Sequence, residues 1–174
     1  MISKENLNFF EKKINYYFKK HELLSQALTH PSFYTDIKKQ KKNSSQFERL
    51  EFLGDRVLGL IIATLLFRKF NKLDEGDLSK RYSYLVQKKF LYKISSNISL
   101  DKILLFNFKK NNEKMKVSIL SDSVESLIGA IYIDGGYVSS YNFVEKFWSK
   151  YLNVDLSETL DSKTLLQELS QYKS

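Results

Sequence analysis

Cysteine is absent from this 174-residue chain. That excludes a disulfide framework, a thiolate zinc site and a cysteine nucleophile. Proline occurs once and glycine six times, and long periodic segments dominate instead, which points to an all-α domain. Histidine occurs only at His21 and His30. Neither stands in an acidic cluster, so both read as capping or packing residues. The longest apolar run, 57–67, is broken by Thr64 and is too short to span a bilayer. The first residues, MISKENLNFFEKK, lack the continuous apolar core of a signal peptide. Together these absences lead us to expect a soluble, cytoplasmic protein with no membrane partner and no small-molecule cofactor.

What is present is a core and a charge. With 43% hydrophobic residues, the chain is long enough to bury the core of one domain. The net charge is +8, from 28 Lys and Arg against 20 Asp and Glu. A basic surface favours polyanions, of which nucleic acid is the commonest. The abundance of Lys, Asn, Ile and Tyr is also consistent with a plain compositional bias.

Periodicity predicts helices over 8–19, 21–29, 46–70, 78–95, 118–134 and 137–151, with a short turn at 99–105. Pro31 ends the second of these, because the residue before proline avoids the α region. Residues 35–45 read as a polar loop carrying Lys38, Lys39, Lys41 and Lys42, and 107–116 as a second basic loop. Asp77 is a plausible N-cap for the helix from 78, which presents Lys80, Arg81, Lys88 and Lys89 outward.

The stretch 46–70, QFERLEFLGDRVLGLIIATLLFRKF, organises the chain. Leu50, Leu53, Val57, Leu58, Ile61, Ile62, Leu65 and Leu66 recur at three- and four-residue steps, as a core helix requires. Glu48, Glu51 and Asp55 interrupt its first half. At about 100° per residue their side chains fall within roughly 60° of one another. Acids beside an apolar stripe are costly unless something positive meets them. A divalent cation would do so, and so would Arg49 and Arg56 along a solvated edge. The stretch 118–134, SILSDSVESLIGAIYID, repeats the anatomy: Asp122 and Glu125 are i, i+3 neighbours on an otherwise apolar helix. Gly54, Gly59 and Gly129 inside these helices make sense where another helix packs closely, since each costs about 1 kcal/mol relative to Ala. If the two helices meet, four or five oxygen ligands converge. A carboxylate-only set suits Mg2+ or Mn2+, and the absence of Glu-x-x-His pairs argues against zinc or di-iron. In a basic protein the natural use is phosphodiester hydrolysis, commonly with a second metal about 3.5–4 Å away.

These residues carry a family likeness. ERLEFLGD at 48–55 resembles the ribonuclease III signature. DEGDLS at 74–79 resembles that family's DEGxLS segment, ILSDSVESLIGA at 119–130 its ILADxxEAxIGA helix, and LTHPSF at 28–33 its ALTHxSF motif. The four motifs stand in the family's order, and the resemblance covers residues 8–152. It implies an all-α, ribonuclease III-like endonuclease domain over 1–154 that works as a homodimer on double-stranded RNA, in rRNA and mRNA processing. Products would carry 5′-phosphate and 3′-hydroxyl ends. By position, Glu51, Asp55, Asp122 and Glu125 would bind Mg2+, with Mn2+ as a possible substitute and two ions per site. Asp55 and Glu125 would be catalytic, Glu48 and Glu75 auxiliary, and Phe52 would pack across the dimer interface. Lys38, Lys39, Lys41, Lys42, Lys109 and Lys110 are candidates for holding RNA phosphates, with duplex RNA read mainly by shape.

The chain departs from the pattern at Gln46-Phe47, Arg56, Ser121 and Ser126, and none of these removes a carboxylate. Residues 155–174 read as a linker followed by the truncated start of a double-stranded RNA-binding domain, DSKTLLQEL at 161–169. Without that domain, substrate affinity would be weaker and strongly salt-dependent. Two other readings share these residues. A non-catalytic RNA-binding relative would be expected to lose some of the six acids, all of which are present. A DNA or nucleotide phosphohydrolase would use the same carboxylates on a different substrate.

Overall fold

The computed structural model describes residues 2–34, 37–107 and 112–153, with backbone alone at 37–44. Six α-helices lie among them: α1 (Lys4–Ile14), α2 (His21–Ala27), α3 (Ile37–Lys69), α4 (Glu75–Val86), α5 (Lys88–Asn97) and α6 (Glu113–Trp148). The described residues contain no strand, only one parallel bridge between Thr29 and Leu105. None of their helices is long and apolar enough to cross a membrane.

The all-α expectation holds, and the element boundaries differ where local chemistry decides them. Helix α1 starts earlier than predicted because the Ser3 side chain accepts the Asn6 N–H at 3.2 Å. It stops at Ile14 because Asn15 turns left-handed, φ 59°, returning its N–H to the Glu11 and Lys12 carbonyls. The residues after it are held by side chains. Phe18 N–H donates to the buried Glu11 carboxylate at 2.8 Å. Tyr16 Oη and the N–H groups of Lys19 and Lys20 all donate to Asp134 at 2.7–3.0 Å.

Residues 37–45 are helical, where the sequence suggested a loop. Nothing between Ile37 and Gly54 breaks a helix, and Lys and Gln are good formers, so α3 runs for 33 residues. The predicted helix over 78–95 is two helices. Gln87, at φ −68° and ψ 149°, closes α4 and opens α5. The cap of α4 is Asp74, whose carboxylate accepts the Asp77 N–H at 2.8 Å; Asp77 itself lies in the first turn. Helix α6 begins at Glu113 under an Asn112 cap, and its interruption at Gly136, φ 75°, falls at the predicted stop. That backbone angle suits only glycine without strain.

The core forms where α3 and α6 cross. Leu58, Ile61 and Ile62 of α3 meet Val124, Leu127, Ile128 and Ile131 of α6, all but fully buried. Each such side chain contributes about 1.5–3 kcal/mol by leaving water. Phe90, Leu91 and Ile94 of α5 flank this layer. Trp148, fully buried, closes the far end and donates Nε1–H to the Leu85 carbonyl at 3.1 Å.

Candidate active site

The site begins with two glycines. A Cβ added to Gly54 would overlap the Glu125 carbonyl and lie 2.9 Å from Gly129 N; one added to Gly129 would overlap the Leu50 carbonyl and lie 3.2 Å from Gly54 N. The backbones of α3 and α6 are therefore in direct contact here, an approach that side chains at these two positions would forbid. Glu51 stands one turn before Gly54, and Glu125 and Asp122 stand one and two turns before Gly129. The contact fixes how close those acids come.

Carboxylate oxygens of Glu51, Asp122 and Glu125 lie within 4.8 Å of one another. Burial pushes the Glu51 carboxyl up to about 7, helped by the charges of Asp122, Glu48 and Asp55, while Lys88 acts the other way. Burial likewise pushes Glu125 up to about 8, with Asp55, Asp122 and Glu51 adding to it and Lys88 again opposing. Three half-buried carboxylates side by side, two of them pushed up first by burial and then by their neighbours' charges, are a site that would gain from a positive charge. Their donor set is oxygen only, as Mg2+ and Mn2+ prefer.

Asp55 is half-buried beside them, and its carboxylate is paired with the neighbouring Arg56. Its charge still reaches Glu125. Glu48 is exposed and acts on Glu51 and on His30 through space. Glu75 is not in the cluster. It sits in the first turn of α4, accepts the Ser79 hydroxyl at 2.7 Å, and lines a separate groove of about 450 Å³ with Leu66, Phe67 and Tyr82. Phe52 is 66% exposed and carries the Arg56 guanidinium over its ring at 5.3 Å. Lys38, Lys39, Lys41 and Lys42 lie on the backbone of α3, with side chains outside the described residues; Lys109 and Lys110 lie wholly outside them.

Two neighbours escaped the sequence reading. Lys88 faces outward as the pattern predicts, its side chain 63% exposed, yet it donates to Asp122 Oδ1 at 3.0 Å and to Ser118 Oγ at 3.1 Å. No pattern marks it, since Asp122 is 34 residues away and the turn at Gln87 places it. His30 caps the turn Pro31–Phe33, Nδ1 accepting the Ser32 N–H at 3.1 Å, as the capping reading expected. Burial lowers its pKa, against the nearby charges of Asp122 and Glu48. It thus lies closer to the acids than its place in the sequence suggested.

A family model described as Ribonuclease-III-like matches residues 20–152. Ribonuclease 3 of Wolbachia sp. subsp. Brugia malayi is 41% identical, covering 97% of this chain and 70% of that protein. Ribonuclease 3 of Campylobacter fetus is 42% identical, covering 96% of this chain and 73% of that protein. The nuclease domain of Campylobacter jejuni ribonuclease III superposes with a TM-score of 0.71 at 36% identity, covering 87% of this chain and 99% of that one. A second structure of that domain, with a TM-score of 0.66 at 38% identity over 80% of this chain and 96% of that one, concerns flexibility in a region involved in dimer formation. On the matched family model, the identities across nearly the whole chain and the shared helical architecture, this chain belongs to the ribonuclease III family and is a ribonuclease.

Proposed function

We propose that this ribonuclease is a divalent-metal-dependent endonuclease that cuts double-stranded RNA as a homodimer, leaving 5′-phosphate and 3′-hydroxyl ends. The observation that carries the reading is the convergence of Glu51, Asp122 and Glu125 at the α3–α6 crossing. The raised pKa values of Glu51 and Glu125 fit a cation-binding set. Glu51, Asp122 and Glu125 would hold the ion, and Asp55 would join them by turning from Arg56. Two ions per site, Mg2+ with Mn2+ as a substitute, are in keeping with four carboxylates. A bound divalent ion supplies charge stabilisation and a more acidic water for attack on phosphorus, with the 3′ oxygen leaving. Asp55 and Glu125 would orient that water, and Glu48, whose charge reaches Glu51, would assist placement of metal or substrate; Glu75, in its separate groove, is not assigned to the ion.

The dimer reading rests on an apolar face. Phe52, Leu60 and Phe67 of α3 are 66, 58 and 74% exposed. At 100° per residue they fall within about 80° on one side of the helix, continuous with the groove lined by Ala63, Leu66, Leu78 and Tyr82. Phe52 would pack there against a second copy. Duplex RNA would be read by its shape and 2′-hydroxyls, with phosphates met by Lys38, Lys39, Lys41, Lys42, Lys109 and Lys110. A role in rRNA and mRNA processing in the cytoplasm goes with that substrate.

Cleavage of a long RNA duplex at low salt, with a DNA duplex as competitor, tests the proposal. Short products should require Mg2+, and Asp55→Asn and Glu125→Gln should each lower the rate at least about a hundredfold, a few kcal/mol of transition-state stabilisation. Equal cutting without divalent ions, or full activity in Glu125→Gln, would overturn it.

A further inference from the structure

The acidic cluster receives a positive charge from an element that contributes none of its acids. Lys88 is the first residue of α5, and the extended Gln87 before it aims the helix start at α6. The ammonium donates to Asp122 Oδ1 at 3.0 Å and to Ser118 Oγ at 3.1 Å. Ser118 in turn donates its hydroxyl to Asp122 Oδ2 at 3.1 Å. Both oxygens of Asp122 are therefore occupied, one by a neutral hydroxyl on its own helix and one by a cation from another helix. Exposure separates the two partners: the Lys88 side chain is 63% exposed and that of Asp122 only 17%. The ammonium thus sits on the solvent side of the carboxylate, the side from which an ion arrives.

We propose that Lys88 is a positioning residue that holds Asp122 ready and competes with the divalent cation for Asp122 Oδ1, so that its displacement is part of ion loading and limits the cation affinity of the site. The inference rests on the metal-dependent reading above. An ammonium and a dication on one oxygen repel each other at contact distance. The flexible four-carbon stem lets the ammonium swing back into water, which is where most of the side chain already lies. Ser118 remains on Oδ2, so the carboxylate need not rotate when Lys88 leaves. The arrangement stabilises the metal-free protein and makes it a weaker ion binder than its carboxylates alone would be.

The test is calorimetric titration of Mn2+ into the whole chain without RNA, at fixed salt, for wild type, Lys88→Met, Lys88→Arg and Glu125→Gln. Losing an exposed competing charge should tighten Mn2+ binding by about threefold to tenfold in Lys88→Met. Lys88→Arg should bind like wild type, because the charge is kept, and Glu125→Gln should bind more weakly. Unchanged or weaker binding by Lys88→Met, with Glu125→Gln still impaired, would overturn the role of Lys88 and leave the metal site standing. Absence of Mn2+ binding in both wild type and Lys88→Met would overturn the metal reading, and this inference with it.

Discussion

Ser126 carries a hydroxyl that is fully buried and finds no hydrogen-bond partner among the described residues. Its neighbours Ser121 and Ser123 return theirs to the Ser118 and Ile119 carbonyls. An unpaired buried hydroxyl costs roughly 1–3 kcal/mol. Ser126→Ala should therefore stabilise the protein by about 1 kcal/mol and raise Tm by about 2–4 °C. A melt followed by the fluorescence of Trp148, the single tryptophan, would show it, and a lower Tm would mean that the hydroxyl is paired. The cluster acids make a second prediction at this scale. Glu51 and Glu125 have folded pKa values raised from 4.5 to about 7 and about 8. Groups raised in this way contribute stability that is present below the unfolded value and lost as pH rises through the folded one. The metal-free protein should accordingly melt at falling temperature as pH rises from 4.5 to about 8. Added Mg2+ should raise Tm more at the alkaline end, where the acids are ionised and able to bind it. Equal Mg2+ shifts across that range would contradict the assignment.

Among the elements, the α3–α6 crossing governs the rest. Gly54 and Gly129 let two backbones touch, so Gly129→Ala must push the helices apart. Overpacking of this kind costs about 1–3 kcal/mol or more. Because the same contact sets the spacing of Glu51, Asp122 and Glu125, Mn2+ affinity should fall with it. Gly76→Ala is the contrast. Its added Cβ would meet only Asp74 Oδ1, at an ordinary 3.5 Å. A helical glycine replaced without a clash gains about 0.4–1 kcal/mol. Denaturant titration of both variants would separate the two cases, and a harmless Gly129→Ala would refute the close crossing.

At the scale of the whole molecule, the apolar face of α3 is the unfinished surface. Monomeric proteins rarely leave a contiguous apolar patch of this kind in water. Phe67→Asp places a charge on that face, 74% exposed in the single chain. It should leave the fold of the protomer intact while shifting the protein from dimer to monomer in light scattering at micromolar concentration. A wild-type monomer under the same conditions would refute the dimer reading. Salt belongs to this scale as well: with a net charge of +8, RNA binding should weaken steeply as ionic strength rises.

The sequence by itself determined the helical class, because its apolar residues recur with helical period and few residues break that period. It also showed that Glu48, Glu51, Asp55, Asp122 and Glu125 interrupt apolar helices, where a carboxylate is costly without a partner; only the structure brought Glu51, Asp122 and Glu125 together. The glycines at 54 and 129 announced a close helix packing. Their being each other's partner was not legible, since periodicity describes one helix at a time and carries no pairing information. The start of α3 and the break at Gln87 are not legible in the sequence for a related reason. Lys-rich residues look like a loop until an existing helix extends through them, and a two-helix corner has no breaker residue to mark it. Only the tertiary structure decided that Glu75 stands apart from the other acids, that Asp55 leans on Arg56, and that Lys88 reaches Asp122 across 34 residues. Those three facts depend on how elements meet in space, where electrostatics acts over a few ångströms and separation along the chain no longer counts.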